Sequence, residues 1–326
     1  MIIVTGGAGF IGSNLVAGLN DKGFDDIAIV DRLGSDSKWR NIAKRQFSDF
    51  VFPEDLDRLL KSTPKVEAIF HMGANSSTTA TDADEMVRTN FLLSTRLWEW
   101  CARTRTPFIY ASSAATFGSG AQGFEDLESH EHFGRLRPLN LYGWSKHAFD
   151  RWAFTRHARG DAPPFWAGLK FFNVYGPNEY HKGEMQSLVA KNTHRIAAGE
   201  PIVLFKSHRA DYADGEQLRD FIYVGDCVRV MLWLLDCRSA SGLFNLGTGK
   251  ARSFRDLMNA VGQALGRPVE YEFCDMPGSI RPNYQYFTEA RMEKLFRAGF
   301  TDPFMSLEGG VADYVTRYLM QDDIYR

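Results

Sequence analysis

Residues 1–12, Met1-Ile-Ile-Val-Thr-Gly-Gly-Ala-Gly-Phe-Ile-Gly12, constrain this chain more than any other stretch. Ile2, Ile3 and Val4 form a β-branched apolar run of the kind that fills a strand buried in a parallel sheet. Gly6, Gly9 and Gly12 follow at three-residue intervals, and Asn14 to Lys22 reads as a helix. In a strand–turn–helix unit the glycines divide three steric tasks: a tight turn, close approach of backbone to a pyrophosphate, and close packing of helix on strand. The helix N-terminus then offers unpaired N–H groups and the positive end of its dipole to the phosphates. A glycine triplet alone is often only a turn. Here a second strand, Ile27 to Val30, ends in Asp31, nineteen residues past Gly12, where an acidic side chain meets an adenosine ribose. The pattern predicts a dinucleotide-binding unit.

At 326 residues the chain is long enough for a large core and two lobes. A net charge of −2 leaves no overall footprint for nucleic acid or an anionic membrane. No apolar run approaches the roughly 20 residues of a membrane span. Residues 1–5 already read as a strand, which leaves no room for a signal peptide. Cys101, Cys227, Cys237 and Cys274 are scattered without CxxC spacing, so reduced core thiols are expected and metal ligands are not. A cytoplasmic location is expected.

The first half alternates strand and helix. After Asp31, the pattern predicts a strand over 47–51, a helix over 54–61, a strand over 66–71, a long helix over 84–103 and a strand over 107–111. In such a sheet ligands collect at the carboxyl ends of the strands, so His71 to Ser76 and Ala111 to Phe117 should border one cleft. The second half predicts a strand over 165–174, a helix over 185–198 closed by Gly199, and an exposed loop over 207–217. Strand, helix, strand and helix then follow over 219–226, 228–235, 244–247 and 254–265. Leu307, Val311, Tyr314, Val315 and Tyr318 recur at helical spacing and should pack on a core. The expected fold is α/β, a doubly wound parallel (Rossmann) sheet with a smaller C-terminal α/β substrate lobe. Residues 1–168 are assigned to the dinucleotide domain, with returning segments at about 219–250, and residues 169–326 mainly to the substrate lobe.

Tyr142-Gly-Trp-Ser-Lys146 places a phenol and an ammonium four apart, on one face of a helix. A phenol with a reference pKa of about 10 is a poor base near neutrality. A nearby ammonium and a positively charged nicotinamide would lower it. The pair follows Ser112-Ser113 by one strand and loop, in a chain that opens with the glycine turn. Together these features resemble the extended short-chain dehydrogenases/reductases, the nucleotide-sugar epimerases and dehydratases. Residues 5–12, 111–118, 142–146, 172–177 and 219–226 match in order and spacing, and the resemblance reaches to about residue 290. It implies that Ser113 hydrogen-bonds the reacting oxygen, that Tyr142 is the acid/base and that Lys146 is its partner; Ser112 reads either as a site hydroxyl or as a turn cap. Dehydratases place an acidic residue after the catalytic hydroxyl. Ala114 and Ala115 stand there, leaving epimerisation or reversible oxidation.

His71-Met-Gly-Ala-Asn-Ser-Ser-Thr-Thr79, Asn178-Glu-Tyr-His-Lys-Gly183, Phe244-Asn-Leu-Gly-Thr-Gly249 and Tyr284-Gln-Tyr-Phe-Thr288 resemble the bacterial ADP-glyceromanno-heptose 6-epimerases. The implied reaction inverts C6 of the heptose in an ADP-sugar that supplies the lipopolysaccharide inner core, with NADP oxidising and re-reducing that carbon. Lys182 is the implied second base for the opposed sugar orientation; by itself it would read as a surface lysine or phosphate contact. Asp31 alone favours NAD, while Arg32 and Lys38 fit a 2′-phosphate and make NADP the expected cofactor. The likeness implies cofactor contacts from Gly6, Gly9, Phe10, Ile11, Gly12, Asp31, Arg32, Lys38, Met72, Gly73, Ala74, Asn75, Ser76, Asn90, Lys146, Val174 and Lys182. It implies substrate contacts from Ser113, Asn173, Glu184, Lys191, Phe205, Lys206, Ser207, His208, Arg219 and Tyr284. Arg219 is the candidate to grip the diphosphate, its alternative being an ion pair with a neighbouring aspartate.

The chain departs from those epimerases at Met72 (usually glutamate), Asn75 (cysteine), Phe117 (tyrosine) and Lys170 (arginine), and in a longer 207–217 loop. Two other readings keep the same nucleus: a UDP-hexose 4-epimerase, which needs no Lys182, and a net NADP-dependent reductase. A redox-sensing binding module is disfavoured because Tyr142 and Lys146 are both kept. Homo-oligomerisation, as a pentamer, is implied by the likeness. Leu93, Leu97, Trp98, Phe149 and Trp152 either serve that interface or finish the monomer core.

Overall fold

The computed structural model describes residues 1–63, 65–238, 240–278, 281 and 284–326. Along the first half run β1 (Ile2–Thr5), α1 (Phe10–Asp21), β2 (Ile27–Val30), β3 (Asp49–Val51), α2 (Leu56–Ser62) and β4 (Ala68–His71). Then come α3 (Ala83–Met86), a π-turn (Val87–Leu92), α4 (Leu93–Thr104), β5 (Phe108–Ser113), α5 (His130–Arg135) and α6 (Leu141–Ala158). The second half holds β6 (Trp166–Phe171), β7 (Asn173–Tyr175), α7 (Leu188–Ala198), β8 (Ile202–Phe205), β9 (Leu218–Tyr223) and α8 (Val224–Cys237). It ends with β10 (Gly242–Leu246), β11 (Ala251–Ser253), α9 (Phe254–Leu265), β12 (Tyr271–Cys274), α10 (Glu293–Arg297) and α11 (Leu307–Tyr314).

Seven parallel strands form the main sheet in the order β10-β6-β5-β4-β1-β2-β3. The strand period of two sends alternate residues to opposite faces. Ile2, Val4, Ile27, Ile29 and Phe70 enter the core on one face, and Ile3, Ala28, Val30, Ile69 and Phe108 the core on the other. Both faces being buried, the strands read as unbroken apolar runs. A third core, around Tyr175, Val189, Ile202, Leu257 and Tyr314, belongs to the smaller sheets β11-β9-β7 and β12-β8 and the helices on them. No helix among the described residues is long and apolar enough to cross a membrane.

The structure moves several expected boundaries. The helix expected from Asn14 begins at Phe10, so Gly12 lies within its first turn. The single strand expected over 165–174 is two strands in different sheets: β6 leaves the main sheet at Phe171, and β7 pairs with β9. The long helix over 84–103 is interrupted by the π-turn. Ser187 caps α7 through Ala190 N, so that helix starts at 188 rather than 185. β9 gives way to α8 after Tyr223, not at 226. Of the four cysteines, which form no disulfide, only Cys101 and Cys227 are core residues; Cys237 and Cys274 are exposed. Leu97, Trp98 and Phe149 are fully buried in the monomer and finish its core, and the part-buried Leu93 and Trp152 pack against the same core.

Candidate active site

The carboxyl ends of β1, β4, β5 and β6 open on a cleft of about 770 Å³. Its dinucleotide side is made by backbone. Gly6 has φ +66°, and a Cβ there would stand 2.5 Å from Gly73 N; at Gly12 it would stand 2.1 Å from Gly6 O. α1 starts at Gly9 with no side-chain cap and no acidic residue in its first turn, which leaves its N–H groups for an anion. Gly6, Gly9, Phe10, Ile11, Gly12, Met72, Gly73, Ala74 and Ser76 all line this wall, and a pyrophosphate fits it.

At the end of β2 the Asp31 carboxylate accepts from Ala8 N (2.9 Å), Arg32 N (2.7 Å) and Lys38 Nζ (2.7 Å). Lys38 and Asp31 face the cleft. Arg32 does not: it pairs with Glu54 at 2.8 Å on the exposed surface, because consecutive residues leaving a strand point to opposite sides. Asn90 is buried behind the wall rather than on it. Its amide accepts from Asn75 N (2.8 Å) and donates to Asn75 O (2.9 Å) and Ser145 Oγ (3.0 Å), pinning the backbone at 75. The Asn75 side chain, in turn, accepts from Ser77 N (3.1 Å). His71, bonded to Thr5 Oγ1 and Ser94 Oγ, is held neutral by burial, its pKa pushed down to about 3.

β5 extends through Ser113, whose hydroxyl accepts from Ala115 N at 3.1 Å. The turn-capping role considered for Ser112 therefore falls to Ser113, while Ser112 donates to Asp150 (2.7 Å). Asn140 caps α6 through Gly143 N (2.8 Å), and Gly143 lets the helix press on the turn after Ser113: a Cβ there would meet Ala115 O at 2.7 Å. That contact sets Tyr142 beside Ser113 on the cleft wall. Lys146 is buried and donates to Ala111 O at 2.7 Å. Burial lowers its ammonium to about 8, against the Asp150 charge. The expected lowering of Tyr142 by Lys146 is not what the protein alone provides. Burial holds the phenol above its ordinary value; the neighbouring Ser113 hydroxyl opposes this and the Asp150 charge adds to it.

Lys182 reaches the same cleft from the turn after β7. Asn14 Nδ2 donates to Pro177 O (2.9 Å) and Asn178 Nδ2 to Ser13 Oγ (3.0 Å), tying that turn to α1. Lys182 is half-buried, its Nζ 5.3 Å from the centre of the Phe10 ring. Burial lowers its pKa, opposed by Glu179. Its neighbour His181, which sequence reasoning missed, also lines the cleft. Asn41 Nδ2 donates to Ala8 O (2.9 Å) and lies 3.2 Å from His181 Nδ1. Since that nitrogen must be the donor, Nδ1 accepts, and the proton of the neutral ring sits on Nε2.

At the far end Asn173, Val174, Glu184 and Tyr284 line the cleft; Ala111 and Ser112 border it as expected of the 111–117 segment, and Thr78, Phe171, Phe172 and Met185, which were not among the expected contacts, line it too. Lys191, Phe205, Lys206, Ser207, His208 and Arg219 do not line it. Lys191 pairs with Glu184 (2.9 Å) and Lys206 with Asp275 (3.7 Å), Ser207 N donates to Asp214 (2.7 Å), and His208 N to Tyr286 Oη (2.9 Å). Arg219 is buried one layer behind, its guanidinium 5.1 Å from the Tyr284 ring centre, and the Phe205 ring meets Tyr284 edge-on at 6.4 Å. It has no carboxylate partner among the described residues, for Asp220 is engaged by Thr248, Gly249 and Ala290. The ion-pair alternative for Arg219 is thereby removed.

Residues 2–247 match the model of the NAD dependent epimerase/dehydratase family. Over its full length the chain is 47% identical to an ADP-L-glycero-D-manno-heptose-6-epimerase of Fusobacterium nucleatum, covering 100% of both chains. It is 49% identical to the protein of that name from Nitratidesulfovibrio vulgaris, with 99% of each chain covered. The crystal structure of the Helicobacter pylori ADP-L-glycero-D-manno-heptose-6-epimerase superposes with a TM-score of 0.79 at 27% identity, over 97% of this chain and 95% of that one.

Proposed function

The chain belongs to the NAD dependent epimerase/dehydratase family, and from that membership we propose that it is an isomerase, inverting C6 of the heptose in ADP-D-glycero-D-manno-heptose to give the L-glycero epimer for lipopolysaccharide inner-core supply. One observation carries the reaction class: Tyr142 and Lys182, two groups able to exchange protons, face the same cleft from different elements. An epimerase must serve two opposed orientations of one carbon, and a single fixed phenol serves one of them well. The substrate rests on full-length likeness to proteins bearing that activity in their names.

A bound nicotinamide dinucleotide would supply reversible hydride exchange with the sugar carbon, with no net oxidation over the cycle. Gly6, Gly9 and Gly12 with the start of α1 would hold its pyrophosphate, and Asp31 and Lys38 its adenosine ribose. Tyr142 Oη exchanges the proton of the sugar hydroxyl in one orientation, with Ser113 Oγ fixing that oxygen. Lys146 Nζ, anchored on Ala111 O, holds positive charge beneath the phenol. Lys182 Nζ exchanges the proton in the opposed orientation. Arg219, a buried guanidinium without a carboxylate, would grip the diphosphate once Tyr284 shifts. NADP is favoured over NAD because Lys38 neutralises Asp31, which would otherwise repel a 2′-phosphate. Cytoplasmic location and assembly as a homo-oligomer, a pentamer by likeness, complete this reading. The division into a dinucleotide domain (1–168, with 219–250) and a substrate lobe follows the same roles.

Proton NMR of ADP-D-glycero-D-manno-heptose with the purified protein, no cofactor added, tests it. The L-glycero epimer should appear. Tyr142→Phe should slow it by roughly 10²–10⁴-fold. A Lys182→Ala variant that epimerises at full rate would show that Lys182 is not the second base, and no product even with excess NADP⁺ and NAD⁺ would remove the heptose assignment.

A further inference from the structure

Beneath the reacting groups lies a fully buried ion pair, Asp150 with Lys170. Tyr142, Lys146 and Asp150 stand at i, i+4 and i+8, one face of α6. The Asp150 carboxylate accepts from Tyr110 Oη (2.9 Å), Ser112 Oγ (2.7 Å) and Lys170 Nζ (2.6 Å). Tyr110 and Ser112 are alternate residues of β5, so both point to the face on which α6 lies. Lys170 sits directly across from Ser112 in the β5–β6 register. It also donates to Thr116 Oγ1 (2.8 Å) and lies 5.0 Å from the Phe117 ring centre, which places its charge against the turn that follows Ser113.

We infer that Asp150, with Lys170 as its counter-ion, is a positioning residue for the reaction: it fixes the Tyr142–Lys146 face of α6 against the Ala111–Ser113 end of β5. Three hydrogen bonds join that helix to that strand, from Tyr110 Oη and Ser112 Oγ to Asp150 and from Lys146 Nζ to the Ala111 carbonyl, with Tyr142 and Ser113 together on the cleft wall above them. A helix slid by part of a turn would lose all three together. Both partners are needed, because a carboxylate buried without its cation is strongly unfavourable. Lys170 divides its ammonium between Asp150 Oδ2 and Thr116 Oγ1.

Asp150 is also the carboxylate whose charge reaches Tyr142 and Lys146, raising both. The other charged or titratable groups around the pair are His147 and Arg151 on α6, His132 on α5, and Glu128 and Asp126 with Lys294 on the segments beside β10. His147 is held neutral by burial, its pKa pushed down to about 4.

The inference rests on Tyr142 and Lys146 acting as proposed, so Tyr142→Phe is run alongside; if that variant keeps full activity, the functional reading fails irrespective of Asp150. The test is the pH profile of kcat for the full-length protein in three variants. In Asp150→Asn/Lys170→Met the pair is replaced by neutral groups of similar size, and both limbs should move to lower pH by about one unit, with kcat at the optimum down at least tenfold and KM within twofold. Asp150→Asn/Lys170→Gln, which also leaves no buried charge unpaired, is the second arm should the first double variant not fold, and its limbs should move the same way. Lys170→Arg restores the charge and should keep the wild-type limbs. Unmoved limbs in the neutral variants, or a change confined to KM, would overturn the assignment.

Discussion

The two ends of the cleft are built in opposite ways. At the dinucleotide end the wall is backbone: glycines at 6, 9 and 12, the uncapped start of α1 and the peptide at Gly73. At the substrate end it is side chains from the end of β6, from β7 and the turn after it, and from Tyr284, and some are held by residues behind them. Lys191 holds Glu184, and Arg219 stacks behind Tyr284. A backbone wall must be assembled before any ligand arrives, whereas a side-chain wall can rest in internal pairs and exchange them for a ligand. Pre-organisation and adaptability are therefore divided between the two ends of one site.

The sharpest way to break this contrast is to add one methyl group at the rigid end. The Cβ of Gly12→Ala would lie 2.1 Å from a backbone oxygen, where no side-chain rotation gives relief. At least about 3 kcal/mol of dinucleotide affinity should be lost, roughly 150-fold, read as nucleotide released from the purified protein on denaturation. If Gly12→Ala retains its nucleotide, the turn is not the rigid wall described here. The complementary change at the adaptable end is Arg219→Met, which keeps an apolar stem against Tyr284 and Phe254. A lost charge-assisted bond is worth about 1.5–3 kcal/mol, so KM for the ADP-sugar should rise about 10–150-fold while bound nucleotide stays at wild-type level. Loss of nucleotide in this variant would show that the two ends are one mechanical unit.

The same division decides what could be read from the sequence. The glycine turn, Asp31, the parallel sheet and the Tyr142–Lys146 face were legible because each is written over a few adjacent residues. β-branched runs, a fixed glycine spacing and an i, i+4 pair all arise from local geometry. The strand over 165–174 was misread because Phe171 and Phe172 are both apolar and buried, and nothing local marks the point where the chain changes sheets. Arg32 was misplaced because sequence proximity to Asp31 does not say which side of the strand end a side chain takes. His181 was passed over because its meaning comes from Asn41, 140 positions away. The Asp150–Lys170 pair left a faint trace, an acid four residues past Lys146, but its partners on β5 and β6 are joined only by the fold. Departures that looked troubling prove structurally placed: Phe117 is core, and Lys170 pairs Asp150.

Lys38 is where the contrast is finest, because at this point the backbone-built end hands recognition to a side chain. Its ammonium bonds both Asp31 Oδ1 and the Arg32 carbonyl, and it remains part-exposed to the cleft. With the cation in place the Asp31 carboxylate is neutralised and a 2′-phosphate can approach. In Lys38→Met the carboxylate stands alone, repelling a phosphate yet free to accept from a ribose 2′-hydroxyl. NADP⁺ should therefore weaken by about tenfold, roughly 1.4 kcal/mol, and NAD⁺ should hold or tighten, measured by titrating each against nucleotide-stripped full-length protein. A parallel loss of both would mean that Lys38 merely props the loop over residues 32–42. Selectivity lost with affinity kept would place the choice of dinucleotide in one flexible side chain on an otherwise rigid wall.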